Sequence, residues 1–277
     1  MGTLDAIRSL LFAPASDERK LRRALESDSD AVVADLEDAV APQLKSAARS
    51  QLATAFGAAQ GLSRRFVRLN GIESEWFDGD LELLMGLDVD AIVVPKATRR
   101  AVEAVAATGA PVVALVETAE GLASAREIAA APNVAALLLG ALDLGHELRL
   151  RPRPDGLELV VPRAELVLAS ALHDLRAPFD AVFPDIYDAR ALENDAERAR
   201  SLGFGGKACI HPEQVAVVNR VFSPSETELE HARRVVAAYE AGVAAGRGAT
   251  ALDGMLIDLP VVLRARTLLG HERKDVA

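Results

Sequence analysis

A single cysteine, Cys209, among 277 residues leaves no partner for an intramolecular disulfide, which excludes the stapled scaffold of small secreted domains. The thiol falls within an apolar run, where it reads as a small buried hydrophobe. Aromatic residues are only 4% of the chain, so the core must be built from Ala, Val, Leu and Ile, which suit helices packed closely on a parallel sheet. Basic residues are outnumbered, 31 against 41, for a formal net charge of −10. Such a surface repels phosphate backbones and argues against nucleic acid as a partner; a polyanionic cofactor would need a local basic pocket. No apolar stretch approaches the ~18 residues of a membrane span. Met1–Arg8 carries no long apolar segment behind a basic start, so no signal peptide is expected and a cytoplasmic address follows by default. Phe12-Ala13-Pro14-Ala15-Ser16 contains no glycine, so the glycine-rich fingerprint of a dinucleotide-binding sheet is missing.

What is present is alternation. Eight short, nearly charge-free apolar runs occur at Ser9–Pro14, Ala31–Asp35, Phe66–Asn70, Ala91–Pro95, Pro111–Val116, Val134–Gly140, Asp180–Pro184 and Gly206–Ile210. Runs of this length and composition are expected of strands buried on both faces. Between them lie Ala-rich charged segments with apolar residues at three- and four-residue spacing, as in Asp17–Ser27, Gln43–Phe56 and Ala189–Leu202, which read as helices. Ser16 and Thr118 are expected N-caps, and Gly203 a helix stop. Eight βα alternations favour a closed (β/α)₈ TIM barrel over an open doubly wound sheet. Asp143–Arg163, rich in Pro and Arg, reads as a loop over the barrel mouth. Beyond the barrel, residues 1–222, a helical extension over 223–277 is expected. It comprises a helix at Ser225–Ala245, a flexible Gly246-Arg247-Gly248 and a last helix at Pro260–Leu269, serving as a lid or an oligomer contact.

Barrel chemistry gathers at the C-terminal ends of the strands. Reading the residues that end each run puts Asp35, Glu37, Asp38, Arg68, Lys96, Glu117, Asp143 and Asp185 at one mouth. Converging carboxylates repel unless a cation is present, and oxygen donors without paired His or Cys favour a hard ion, Mg²⁺ or Mn²⁺. Glu117 and Asp143, ending adjacent runs, are the natural pair for it. Arg68 offers a planar, permanently charged fork for a substrate carboxylate or carbonyl. The plainer readings stand beside these: Glu37 and Asp38 as caps of the next helix, Lys96 as a neutralising neighbour, and His211 before Pro212 as a helix-start or packing residue.

Taken in order, Arg8–Pro14, Ala31–Val40 with Ala41-Pro42 and Lys45, Arg68-Leu69-Asn70, Val94-Pro95-Lys96, Val116-Glu117-Thr118, Phe183–Ile186, Gly205–Pro212 and Asp253–Asp258 resemble the citrate lyase β-subunit-like family of the HpcH/HpaI aldolase group. The resemblance runs from about Arg8 to Leu269. It implies a Mg²⁺-dependent carbon–carbon lyase acting on a β-hydroxyacyl thioester, with a 2-keto acid and an acyl thioester as products. Arg68 would hold substrate, with Glu37, Asp38 and Lys96 beside it; Glu117 and Asp143 would bind the metal; Pro14 and His211 would lie near coenzyme A or another thiol carrier. Asp258 would reach a neighbouring subunit of a homotrimer and transfer a proton. Two departures stand out: Pro14-Ala15 where the family often has Pro-Gly, and Leu142 before Asp143 where it often has a second acid. Three readings compete: a stand-alone lyase or synthase for citramalyl-, malyl- or citryl-coenzyme A; the β subunit of a citrate lyase complex working on an acyl carrier protein; and a barrel without catalysis serving as a binding subunit. Asp258 favours the first, and intact Arg68, Glu117 and Asp143 oppose the third.

Overall fold

The computed structural model describes residues 4–58 and 63–272. Residues 1–3, on which part of the signal-peptide expectation rests, and the last five residues of the expected extension lie outside these. Contacts divide the chain into two units, Met1–Phe222 and Ser223–Ala277.

The first unit is a closed barrel of eight parallel strands, each hydrogen-bonded to the next, with the eighth returning to the first. In chain order it runs β1 (Ser9–Pro14), α1 (Glu18–Leu25), β2 (Ala31–Asp35), α2 (Lys45–Ala58), β3 (Arg64–Arg68), α3 (Phe77–Met85), β4 (Ala91–Val94), α4 (Arg99–Ala104), β5 (Val112–Val116), α5 (Ala119–Ala123), α6 (Ala125–Ala129), β6 (Val134–Leu139), α7 (Ala141–Glu147), α8 (Val160–Leu172), β7 (Phe179–Asp180), α9 (Ala189–Leu202), β8 (Gly206–Cys209) and α10 (Pro212–Phe222). Alternate strand residues part into two cores, as the two-residue period of a strand requires. Leu10, Val33, Phe66, Val93, Leu115 and Leu138 fill the barrel interior, while Leu11, Val32, Val67, Ile92, Val116 and Leu139 pack beneath the helices.

Several boundaries differ from the sequence reading, each for a polar reason. β3 begins at Arg64 rather than Phe66 because Arg64 and Arg65 discharge onto Asp90 and Asp88 at the strand entrance. It ends at Arg68 because the Asn70 N–H goes to the Asp80 carboxylate instead of the ladder. β7 is only Phe179–Asp180: Asp180 is committed to a buried quartet, and Pro184 has no N–H to give a sheet. In that quartet Arg163 donates to Asp180 and Asp195, and Lys207 donates to the same two carboxylates at 2.5 and 2.7 Å. Arg163 therefore belongs to α8 and is fully buried, and Asp143 lies in α7, so neither end of the expected Asp143–Arg163 loop is loop. Asp17, not Ser16, caps α1. Thr118 caps α5, and Gly203 ends α9 at φ +107°.

In the second unit α11 (Glu226–Ala244) starts with a reciprocal Ser225/Glu228 capping box. A hairpin follows, β9 (Thr250–Leu252) and β10 (Met255–Ile257), turning through Asp253 and Gly254, both at positive φ. The helix α12 (Leu259–Glu272) closes the unit. Val262 and Ala265 join Ala232, Val235 and Ile257 in its core, with Leu268 and Leu269 packed against it. Most of the apolar residues of the last helix, expected to serve as a lid or an oligomer contact, thus pack within their own unit. Among the described residues of this unit the large apolar side chains left exposed are Val243, Met255, Leu256, Leu259, Val261 and Leu263. Among the described residues no helix is long and apolar enough to cross a membrane.

Candidate active site

The barrel's inward register leads directly to the mouth. Two residues beyond the interior Val33, Phe66 and Leu115 stand Asp35, Arg68 and Glu117, and the same step from Leu138 reaches Gly140. With Phe12, Pro14, Asp38, Leu142, Asp143 and Val182 these residues line one cavity of about 480 Å³. A wider cleft of about 960 Å³ lies over the loops that follow β2 to β5 and takes in Glu37, Lys96 and Lys45.

Arg68 is the electrostatic centre. Its Nε and Nη2 donate to the two oxygens of Asp35 at 2.8 and 2.6 Å, a bidentate fork. Its Nη1 stands 3.1 Å from Glu37 Oε2 and 3.7 Å from Asp38, and its guanidinium is 5.4 Å from the centre of the Phe12 ring. Lys96 donates from Nζ to Glu37 Oε1 at 2.6 Å and from its backbone N–H to Glu117 Oε1 at 2.8 Å. It holds φ +45°, a region unfavourable for a side-chain-bearing residue and common at working sites. Glu37 and Asp38 do not cap the next helix: it is the Asp35 carboxylate that accepts the N–H groups of Glu37 and Ala39.

Glu117 is only 2% exposed. Burial, and then the charge of Glu37, push its carboxyl up to about 8 against the opposing Lys96 N–H. Burial likewise raises Glu37 against Arg68. Gly140 makes the room Glu117 occupies: a methyl group there would lie 2.9 Å from Glu117 Oε2. Asp143 sits exposed in the first turn of α7 and shares the cavity. Five carboxylates at this mouth, Asp35, Glu37, Asp38, Glu117 and Asp143, face two cations, Arg68 and Lys96, and that excess favours a bound cation. Among the described residues no three acidic, imidazole or thiol groups converge on one point. Mg²⁺ commonly takes only one or two protein carboxylates, so Glu117 and Asp143, which line one cavity, are a donor set that fits it.

The other expected residues are placed as follows. Pro14 lines the cavity. His211 stands at the start of α10, where its Nδ1 accepts the Glu213 N–H at 3.3 Å, the helix-start role. Asp185 does not join the mouth: it is exposed and bonds the N–H groups of Tyr187 and Asp188, because β7 ends five residues before it. Asp258 belongs to the second unit and accepts the Val261 N–H at 3.4 Å, capping α12. Sequence reasoning gave Asp35 no role of its own and passed over Gly140. The signal for both was the inward alternation, which carries past the last apolar residue of each strand.

Comparison with known proteins agrees with this geometry. Residues 8–212 match the family described as HpcH/HpaI aldolase/citrate lyase. The chain is 40% identical over 267 residues to a (3S)-malyl-CoA thioesterase of Cereibacter sphaeroides, covering 95% of this chain and 93% of that one. It is 37% identical over 281 residues to a citrate lyase subunit beta-like protein of Deinococcus radiodurans, covering 96% and 97%. Among solved structures, the protein CitE from Mycobacterium tuberculosis in complex with magnesium, acetoacetate and coenzyme A superposes with a TM-score of 0.84 at 36% identity, over 97% of this chain and 99% of that one. A closed eight-stranded parallel barrel whose strand ends carry Asp35, Arg68 and Glu117, matched over residues 8–212, places this chain in the HpcH/HpaI aldolase/citrate lyase family.

Proposed function

We propose that this protein is a Mg²⁺-dependent carbon–carbon lyase for a β-hydroxyacyl-coenzyme A, releasing a 2-keto acid and an acyl thioester, and reversible as a synthase. The observation that carries the reading is the meeting of Arg68, Glu117 and Asp143 in one cavity at the barrel mouth. In cleavage the hydroxyl proton leaves, a carbonyl forms at the carbinol carbon, the carbon–carbon electron pair passes to the thioester enolate, and one proton returns to its α-carbon. No water or oxidant is consumed. Arg68, oriented by Asp35, meets the oxygen on which negative charge develops. Lys96 and Glu37 keep the neighbouring charges balanced, with Asp38 at the rim. Glu117 and Asp143 would hold Mg²⁺, which when bound supplies Lewis-acid polarisation of the keto-acid oxygens. Pro14 and His211, at the ends of the hydrogen-bonded strands β1 and β8, would flank the thiol carrier. The carrier is taken as coenzyme A, the ligand of the Mycobacterium tuberculosis structure, with an acyl carrier protein as the alternative. Asp258 of a neighbouring subunit in a homotrimer would return the proton. The setting is cytoplasmic.

A second reading has a specific basis: the 40% identical relative is a thioesterase. Hydrolysis would consume water and release the hydroxy acid and free thiol. The two readings part on products. Malyl- and citramalyl-coenzyme A are incubated with enzyme and Mg²⁺, with keto acid trapped as its phenylhydrazone and thiol counted with an aromatic disulfide. Keto acid without thiol is expected. Thiol without keto acid would establish hydrolysis, and neither product would overturn both readings.

A further inference from the structure

Lys45 joins the 3₁₀ turn Pro42–Leu44 to α2, near the positive end of one continuous helical segment. The first turn carries the positive end of the helix dipole and prefers acids; α2 has no acid there. The lysine is also only 5% exposed, and a lysine this buried must have its ammonium fully partnered. Nζ donates to the Leu36 carbonyl at 2.6 Å, the Glu37 carbonyl at 2.7 Å and Asn70 Oδ1 at 2.6 Å, and lies 5.0 Å from the Trp76 ring centre. Asn70 is held in turn, its Nδ2 donating to the Leu36 carbonyl and to Asp80 Oδ2. Although Lys45 borders the wide cleft, its three protons are spent on protein acceptors, so it is not built to bind a ligand.

The two carbonyls it holds come just after the end of β2. Between them hangs the side chain of Glu37, which reaches Lys96 Nζ at 2.6 Å and stands 3.1 Å from Arg68 Nη1. We infer that Lys45 is a positioning residue: it clamps the Leu36 and Glu37 peptide units so that the Glu37 carboxylate keeps Arg68 and Lys96 in the arrangement that meets substrate. The inference rests on the reading of that mouth as the substrate site.

The test is a double-mutant cycle on the full chain with its thioester substrate and Mg²⁺. Lys45→Met keeps the stem and removes the donors. It should lower kcat on the order of 10²-fold, the cost of a small misplacement, with a much smaller change in KM. In a Glu37→Gln background the same change should cost less than about twofold, because the group it positions is already altered. Equal losses in both backgrounds, or a Lys45→Met enzyme of wild-type kcat, would overturn the inference. Should Lys45→Met fail to fold, Lys45→Gln, which keeps two donors on a shorter stem, enters the same cycle, and equal losses in both backgrounds would overturn the inference. Arg68→Ala separates the two levels: an active Arg68→Ala enzyme sinks the site reading and this inference together, whereas an inactive one with an additive cycle sinks only the role of Lys45.

Discussion

Three carboxylates and a phenyl ring surround a single guanidinium at Arg68, and that crowding decides what the residue can do. Asp35 takes two of its nitrogens in parallel, leaving Nη1 beside Glu37 and Asp38. A lysine keeps the charge but cannot reproduce the fork. Arg68→Lys is therefore expected to lose about 10²-fold in turnover, the scale set by one oxyanion donor, while its melting temperature changes little; near wild-type turnover would remove Arg68 from the chemistry. Glu117 carries the second expectation at this scale. Its carboxyl, lifted to about 8 chiefly by burial, binds a proton in the folded chain that the unfolded chain has already released. The sign follows: without metal, stability is fullest below the ordinary carboxylate range and falls as pH rises from about 4.5 to about 8. Mg²⁺ displaces that proton, so Mg²⁺ at about a hundredfold over its dissociation constant, worth ~2.7 kcal/mol, should raise the melting temperature more at pH 8 than at pH 6. Calorimetric scans with and without Mg²⁺, on wild type and Glu117→Gln, read this directly. An equal upshift at both pH values, or one retained by Glu117→Gln, would remove Glu117 as a ligand.

At the scale of elements, β7 is the weak stave of the barrel. With two residues it offers little ladder, and the Arg163–Asp180–Lys207–Asp195 quartet ties it to α8, α9 and β8 instead. Burial alone would raise the Asp195 carboxyl, but Lys207 and Arg163 outweigh it and hold it down to about 2. A depressed acid contributes stability that is present above the ordinary carboxylate range and is lost as pH falls toward about 2. Arg163→Met leaves two buried carboxylates to one lysine, an uncompensated buried charge that should cost about 3–5 kcal/mol, measured by urea unfolding at pH 7, with the gap to wild type narrowing toward pH 3. A loss below about 1 kcal/mol would show that the quartet does not brace β7. This element also marks where the sequence stopped being legible. All eight strands announced themselves as apolar runs with at most one charge each, but a stave held by ion pairs keeps little of that signature, and the run beginning at Asp180 pointed past its true end. The same bias hid Arg64 and Arg65 at the start of β3. The β9–β10 hairpin was missed although Asp253-Gly254 is a strong turn signal, because its flanking strands are only three residues long. At the site, residues that end strands were legible, since position alone nominates them. Their pairings were not: that Asp35 rather than Glu37 holds the Arg68 fork depends on inward register, and the space at Gly140 depends on a neighbouring strand.

For the whole molecule the open question is where Asp258 works. It lies between β10 and α12 in a unit with its own core of Ala232, Val235, Ile257, Val262 and Ala265. Close to it in the chain Met255, Leu256, Leu259 and Leu263 are 69, 66, 49 and 53% exposed, and grouped apolar exposure of this kind commonly marks a contact. Capping α12 accounts for the hydrogen bond to Val261 but not for that surface. A closed ring of subunits, each lending Asp258 to the next mouth as proposed above, would account for both. Such an arrangement splits every site between two chains, so inactive Asp258→Ala and inactive Arg68→Ala proteins should complement each other. After subunit exchange, random mixing in a trimer assembles some sites with both residues intact, and activity should rise from background to a readily measured fraction of wild type. Exchange is verified independently by mass spectrometry of isotopically distinct chains, and the assembly state by light scattering. A monomer at working concentration, an Asp258→Ala protein of full activity, or exchanged mixtures that stay inactive would each confine Asp258 to capping its helix.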